Sequence, residues 1–229
     1  MTKSAFLAAA FTVLAGTASA TTMQAVYTGT VYASTDATDS FGTGTVNGLD
    51  GLAYSLVFLY DTPAGVLASD WYHTQQYGGT TYGWVDPVIS ATLTINNVSF
   101  SSSGDYQSFE YRSDGGGTAF AQDYAYEYFD DSVTYSYHHI YDGLYGVPGS
   151  VPFDLSQPFS VTGPSGGGYF SFVDYDYGTA LYSNYVFGAL YSETLTVSIV
   201  SAAVPLPATL PLMLVALGGL AALRRRRTA

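Results

Sequence analysis

The chain of 229 residues contains no cysteine. That excludes disulfides, thiol catalysis, thiolate zinc sites and iron–sulfur clusters. Cationic side chains are nearly as scarce. Six lysines and arginines stand against eighteen aspartates and glutamates, for a formal net charge of −12. Lys3 lies at the front of the chain and Arg224 to Arg227 at its end, so Arg112 is the only basic residue within 21–203. All eighteen acidic residues fall in that segment, and one positive charge against eighteen negative ones leaves it at −17. Such a segment lacks the cations that displace counterions from phosphates, which excludes nucleic acid as a partner. Anionic lipid surfaces repel it as well. Histidine is limited to His73, His138 and His139. No stretch of 21–203 carries a sustained 3.6-residue apolar period with caps, so helices are not expected there.

The two ends are apolar, and each has its own plan. Residues 1–20 begin with Lys3, continue through an apolar run from Ala5 to Leu14 broken only by Thr12, and close on Ala18-Ser19-Ala20. This order is that of a secretory signal, with Ala18 and Ala20 as the small residues a signal peptidase accepts and Thr21 as the expected mature start. The run is too short to span a bilayer, which takes roughly 20 residues. Residues 204–229 open with Val204-Pro205-Leu206-Pro207-Ala208, run almost wholly apolar from Thr209 to Leu223, and close on Arg224, Arg225, Arg226 and Arg227. By the positive-inside rule the arginines stay cytoplasmic and the bulk of the chain lies outside. Pro211 interrupts the apolar stretch, so a helix is expected to begin near it, and the remaining span is short for a permanent anchor.

This tail resembles the VPLPA variety of the PEP-CTERM sorting signal. The resemblance rests on Val204 to Ala208, the apolar helix containing Gly218-Gly219, and the basic end, in that order. It implies export by a Gram-negative bacterium and transit through the inner membrane with the N-terminus out and the C-terminus in. It also implies recognition of the tail by an exosortase-type enzyme, followed by residence at the cell surface or outside it. Val204 to Ala208 would then be a recognition element and not a catalytic site. A single-pass anchor is the plainer alternative, and it puts the middle of the chain on the same side. Phe41 to Thr62, Ala91 to Asn96 and Leu190 to Ser198 also resemble stretches common in exported proteins with such tails; this second, looser resemblance implies a β-sandwich and brings no activity with it.

The middle, 21–203, has the composition of one all-β domain. Tyrosine, threonine, serine, valine and glycine dominate it, the first two suited to pleated sheets and glycine to turns. Met23 to Tyr32 and Leu52 to Tyr60 alternate, and apolar residues on both faces of the second mark a central strand. Leu93 and Ile95 before Asn96-Asn97, with Val98 and Phe100 after, predict a hairpin with a two-residue type I′ turn. Further strands are expected at 106–111, 133–139, 159–162, 169–173 and 194–200. Many short strands at this spacing predict a β-sandwich or jelly roll. The dense Tyr/Asp stretch from Asp105 to Tyr145 reads as the least regular part, with long loops.

Candidate chemistry is sparse. Gly163-Pro164-Ser165-Gly166-Gly167 fits G-x-S-x-G in letters, but a nucleophile elbow needs a helix after the serine, and a strand pattern follows instead. His138 and His139, adjacent on a strand, point to opposite faces and do not share a metal. Calcium is the metal best suited to the acidic loops, because it takes hard oxygen ligands in irregular geometry. Its candidate ligands are Asp174 and Asp176 before Gly178, and Asp36 and Asp39 before Gly42; Asp130-Asp131 is a weaker pair. The plain alternative is solvated loop carboxylates. Trp71 and Trp84, with Tyr72, Tyr77 and Tyr82, are expected to cluster around Gly78-Gly79, where rings could stack on the sugars of an extracellular polysaccharide or simply cover a sheet face. No catalytic residue emerges. The expected role is structural or adhesive and non-enzymatic, with a carbohydrate-binding module as the alternative and a secreted hydrolase behind it.

Overall fold

The computed structural model describes residues 21–62, 64–115, 118–163 and 165–200. The expected signal segment 1–20 and the tail 204–229, including Val204 to Ala208 and Arg224 to Arg227, lie outside the described residues. Within them the chain is all-β, a curled antiparallel sheet of twelve strands with no helix. In chain order the strands are β1 (Thr21–Asp36), β2 (Ala53–Thr62), β3 (Val66–Ser69), β4 (His73–Gly78), β5 (Val88–Ile95) and β6 (Val98–Ser102). They continue with β7 (Gln107–Gly115), β8 (Thr118–Asp130), β9 (Thr134–Gly146), β10 (Phe159–Thr162), β11 (Gly168–Asp176) and β12 (Leu181–Ile199). Their order across the sheet is β3-β4-β7-β8-β9-β11-β12-β1-β2-β5-β6. β12 pairs with β1 along one edge; on the other its first half pairs with β11 and its second half with β10.

The sheet curls so that its two halves share one core. Tyr27 on β1 reaches Asp123 on β8, Tyr54 on β2 reaches Asp142 on β9, and Tyr60 on β2 meets Arg112 on β7. Phe100 on β6 packs against Phe172 on β11 with ring centroids 5.0 Å apart. The period-2 pattern explains the division of faces: Met23, Ala25, Tyr27 and Val31 point inward on β1, and Tyr54, Leu56, Phe58 and Tyr60 on β2. β12 bulges at Glu193 opposite the Thr28–Gly29 step of β1, and a Cβ on Gly29 would run into the carbonyl of Tyr191, so only glycine fits there.

The hairpin of β5 and β6 turns at Asn96 and Asn97 with φ of 50° and 62°, the left-handed pair a type I′ turn requires. Asn96 Nδ2 also donates to the Phe41 carbonyl at 2.9 Å. Phe41 plugs the core from the loop between β1 and β2 and packs on Phe100 and Phe170.

The stretch 105–145 departs from expectation. It forms three of the longer strands, β7, β8 and β9, and no long loop. The alternation there is strict but inverted in size. On β8, Ala119, Ala121, Asp123 and Ala125 point inward, while Phe120, Gln122, Tyr124 and Tyr126 point outward. Small inward residues leave room for the tyrosines of β1 and β2 and for the Arg112 side chain, so the rings of β8 are displaced to the outside.

Candidate functional site

Outward tyrosines from consecutive strands fall into register. Tyr77 on β4 lies opposite Phe109 on β7, Phe109 opposite Tyr124 on β8, Tyr124 opposite Tyr141 on β9, and Tyr141 opposite Tyr169 on β11. Five aromatic residues thus occupy one cross-strand row over five adjacent strands, about 19 Å at the usual strand spacing. Phe109 and Tyr124 are stacked at 4.8 Å with an interplanar angle of 6°. The next row adds Tyr126 opposite His139, and the one beyond it Tyr128 opposite Tyr137. Directly opposed aromatic pairs of this kind stabilise the sheet as well as shaping its surface.

His139 is the hub of this face. Its ring lies 5.1 Å from Tyr124, 5.8 Å from Tyr126, 5.5 Å from Tyr141 and 5.8 Å from Tyr169. Burial among these rings lowers its pKa to about 4, so the imidazole is neutral at neutral pH. Burial likewise pushes the phenols of Tyr124 and Tyr126 upward, which keeps them protonated as hydrogen-bond donors. His138, its chain neighbour, points to the opposite face, as expected, and that face is the inner one: its ring meets Phe172, and its Nε2 lies 3.0 Å from Asp174.

The expected Trp/Tyr cluster divides in two. Tyr77, Tyr82 and Trp84 pack together, with Tyr82 and Trp84 nearly parallel at 6.0 Å and 15°. Trp71 stands against Tyr72 at the other end of β4, 86 % exposed. His73, beside it, stacks on Tyr111 at 5.7 Å and makes a 2.8 Å contact with Asp70. The split follows from β4 itself: His73 and Tyr77 sit four residues apart on one extended strand, which separates the groups they join.

The acidic candidates are engaged by their own loops. Asp36 accepts the Ser40 and Phe41 N–H groups at 2.7 and 2.9 Å, which bends the chain to insert Phe41. Asp39 accepts Gly44 N–H, and Asp176 accepts those of Gly178 and Thr179. Asp174 takes Ser136, His138 and Asn184. Burial pushes its carboxyl up, yet these hydrogen bonds outweigh burial and hold it down to about 2. Asn184 in turn accepts from Ser40 Oγ, which ties the Asp36 loop to Asp174. Among the described residues no three His, Asp or Glu side chains gather in a group that could hold a metal ion. The loop of Ser165 joins β10 to β11, and a strand, not a helix, follows it.

Three further acids, Glu110, Asp123 and Asp142, lie in the core, where the sequence gives no sign of them. Arg112, 1 % exposed, donates from Nη1 to Asp123 Oδ1 at 3.0 Å and from Nη2 to the Tyr60 hydroxyl at 3.2 Å. Its guanidinium lies 5.5 Å above the Phe159 ring. Glu110 Oε1 is 3.6 Å from Nη2, and burial holds that carboxyl well above the ordinary range. Asp142 accepts from Tyr54, Ser192 and Gly143; burial still raises it to about 7. Glu110, Asp123 and Asp142 are fully buried, so this network braces the core and is closed to a substrate.

No family model, curated protein or solved structure matches this chain.

The aromatic face is therefore read from geometry alone. It is broad, lies on the outer side of the curled sheet, and is uncharged at its centre. A sequence signal for it did exist, in the Ala/Tyr alternation of 119–126, but it runs opposite to the usual pattern of large residues inside.

Proposed function

We propose that the chain is an exported protein of the cell surface or extracellular matrix, non-enzymatic, whose aromatic outer face is its contact surface in a structural or adhesive role. The row Tyr77–Phe109–Tyr124–Tyr141–Tyr169 is the observation that carries this reading. A single sheet face that displays so many rings on rigid strands suits contact with a flat, extended partner. The curled sheet serves as a sandwich-like scaffold for it. Delivery rests on the ends: a signal peptide over 1–20, and a VPLPA-type tail that an exosortase-type enzyme would process after passage through the inner membrane.

A second reading, a carbohydrate-binding module, is favoured by Tyr82 and Trp84, which lie nearly parallel and are 41 % and 48 % exposed. A pyranose ring is about as long as the strand spacing of about 4.8 Å, so successive sugars could lie across the row. The acidic surface favours a neutral polymer over an anionic one.

The test is pull-down of the full chain on insoluble neutral polysaccharides and on matrix from the native host. Tyr124→Thr with Tyr141→Thr should abolish retention on matrix. Trp84→Ala should abolish retention on polysaccharide if the second reading holds. Retention unchanged in both variants would remove the aromatic face from consideration, and turnover of a glycoside or ester would overturn the non-enzymatic reading.

A further inference from the structure

Where β11 turns into β12, three tyrosines stand in one cross-strand row. Tyr135 on β9 is opposite Tyr175 on β11, and Tyr175 is opposite Tyr182 on β12. A bulge makes the second pairing: the register of β11 and β12 passes over Ser183, so Tyr175 faces Tyr182 and not Ser183. Residues three apart on a regular strand face opposite sides, yet the extra residue brings the Tyr182 and Tyr185 rings together, 4.9 Å apart. The Tyr175 and Tyr182 rings are closer still, at 4.8 Å and tilted by 53°. Two phenol rings joined by a single carbon–carbon bond sit at nearly that separation. The broad χ2 wells of aromatic side chains let the pair turn until an ortho carbon of one ring meets an ortho carbon of the other.

The pair is also within reach of an oxidant. Tyr182 is 50 % exposed, and Tyr177, 46 % exposed, lies 5.3 Å from Tyr175. A one-electron oxidant can take an electron from Tyr182 directly and from Tyr175 through Tyr177. The usual competing targets are missing at this end of the sheet. Cysteine is absent and Met23 is fully buried. Trp71 and Trp84 flank β4, which β7, β8, β9 and β11 separate from β12.

We propose that Tyr175 and Tyr182 form an oxidative cross-linking site, coupled to dityrosine by a peroxide acting through a haem peroxidase. Each phenol gives one electron to the oxidant and one proton to water. The two phenoxyl radicals form one bond between ortho carbons, and the hydrogen on each coupled carbon shifts to its oxygen as the ring regains aromaticity. One hydrogen peroxide becomes two waters, and the chain loses two hydrogen atoms. The link staples β11 to β12 beside their turn, in a chain that has no disulfide. It depends on neither the adhesive nor the carbohydrate reading of the outer face; export only brings the chain to an oxidising compartment.

Hydrogen peroxide and a haem peroxidase, added to a dilute solution of the full chain, test this. Radicals already in contact couple faster than radicals on separate chains, so the product should be a monomer lighter by two hydrogens, with dityrosine fluorescence. Cleavage before Asp174 and Asp176 should leave the Asp174-Tyr175 fragment joined to the peptide that carries Tyr182. Tyr175→Phe and Tyr182→Phe keep the rings and remove the reacting hydroxyls, so each should lower the yield of monomeric dityrosine at least about tenfold with the melting temperature unchanged. Tyr177→Phe slows the reaction without changing the site of the link, and Tyr185→Phe leaves both unchanged. Dityrosine found only in oligomers, links mapped only to other pairs in the unsubstituted chain, or a yield that survives Tyr175→Phe and Tyr182→Phe would each overturn the proposal. The mapping on the unsubstituted chain decides the matter even where a variant fails to fold.

Discussion

Arg112 Nη1 donates to Asp123 Oδ1 at 3.0 Å in the interior of the curled sheet, on neighbouring strands where both side chains are buried. The one cation of 21–203 is thus spent inside, as the counter-charge of two carboxyls and the donor to one tyrosine.

Removing it should be severe. Arg112→Met leaves Asp123 buried without its counter-ion, and such a loss costs about 3–5 kcal/mol. Urea denaturation should show the midpoint lowered by that energy divided by the m-value. Adding Asp123→Asn should recover part of the loss, because it removes the uncompensated charge; a double variant no better than the single would contradict this account.

The pH dependence should carry two opposed contributions. Asp142 is raised from 3.8 to about 7, so between those values the folded chain keeps a proton the unfolded chain has released. Its contribution to stability therefore falls as pH rises from about 4 to 7. Asp86, raised to about 6 chiefly by burial, acts in the same sense. His139 is lowered from 6.5 to about 4, so its contribution falls as pH drops through that interval. Asp142→Asn should remove a fall in melting temperature between about pH 4 and 7, with a gain at pH 8 of at most about 4 kcal/mol. His139→Phe should flatten the acid side. Unchanged slopes in both variants would refute the assignment.

The β5–β6 turn offers a local test. Asn96→Ala places alanine at φ of 50° and removes the 2.9 Å bond to the Phe41 carbonyl. The left-handed backbone alone costs about 1–2 kcal/mol, and the lost bond about 1 more. Asn97→Gly, at φ of 62°, should be neutral or stabilising. Thermal melts should show Asn96→Ala clearly lowered and Asn97→Gly unchanged or raised.

The ends can be checked in the native host. Intact-mass analysis should find a chain beginning at Thr21. Deleting Arg224 to Arg227 should impair delivery to the surface; a chain still carrying Met1 in the cytosol would refute export.

The β character and its local turns were legible in the sequence because they rest on short-range rules. The Asn96-Asn97 hairpin follows from two residues that tolerate positive φ, and the faces of β1 and β2 follow from simple alternation. The candidate site was not legible for a physical reason. On β8 the inward positions are Ala119, Ala121, Asp123 and Ala125, so a reader who expects large residues inside sees noise where the strand is most regular. Nor can spacing show that Tyr77, Phe109, Tyr124, Tyr141 and Tyr169 share one row, since register across five strands is a non-local property. The Asp36 and Asp174 loops were legible as acidic, but the N–H groups and side chains that occupy those carboxylates appear only once the loops are folded.

The burial of Arg112 has a consequence for proteolysis. Residues 21–203 contain no lysine, and their one arginine lies in β7, bonded on both sides by β4 and β8. A trypsin-type protease therefore finds a single scissile bond in the whole segment, and it is exposed only when the sheet opens. Trypsin resistance would then report the global unfolding equilibrium directly, without the loop nicking that obscures it in most domains. Amine-directed labels would find no side chain to attack on the same segment.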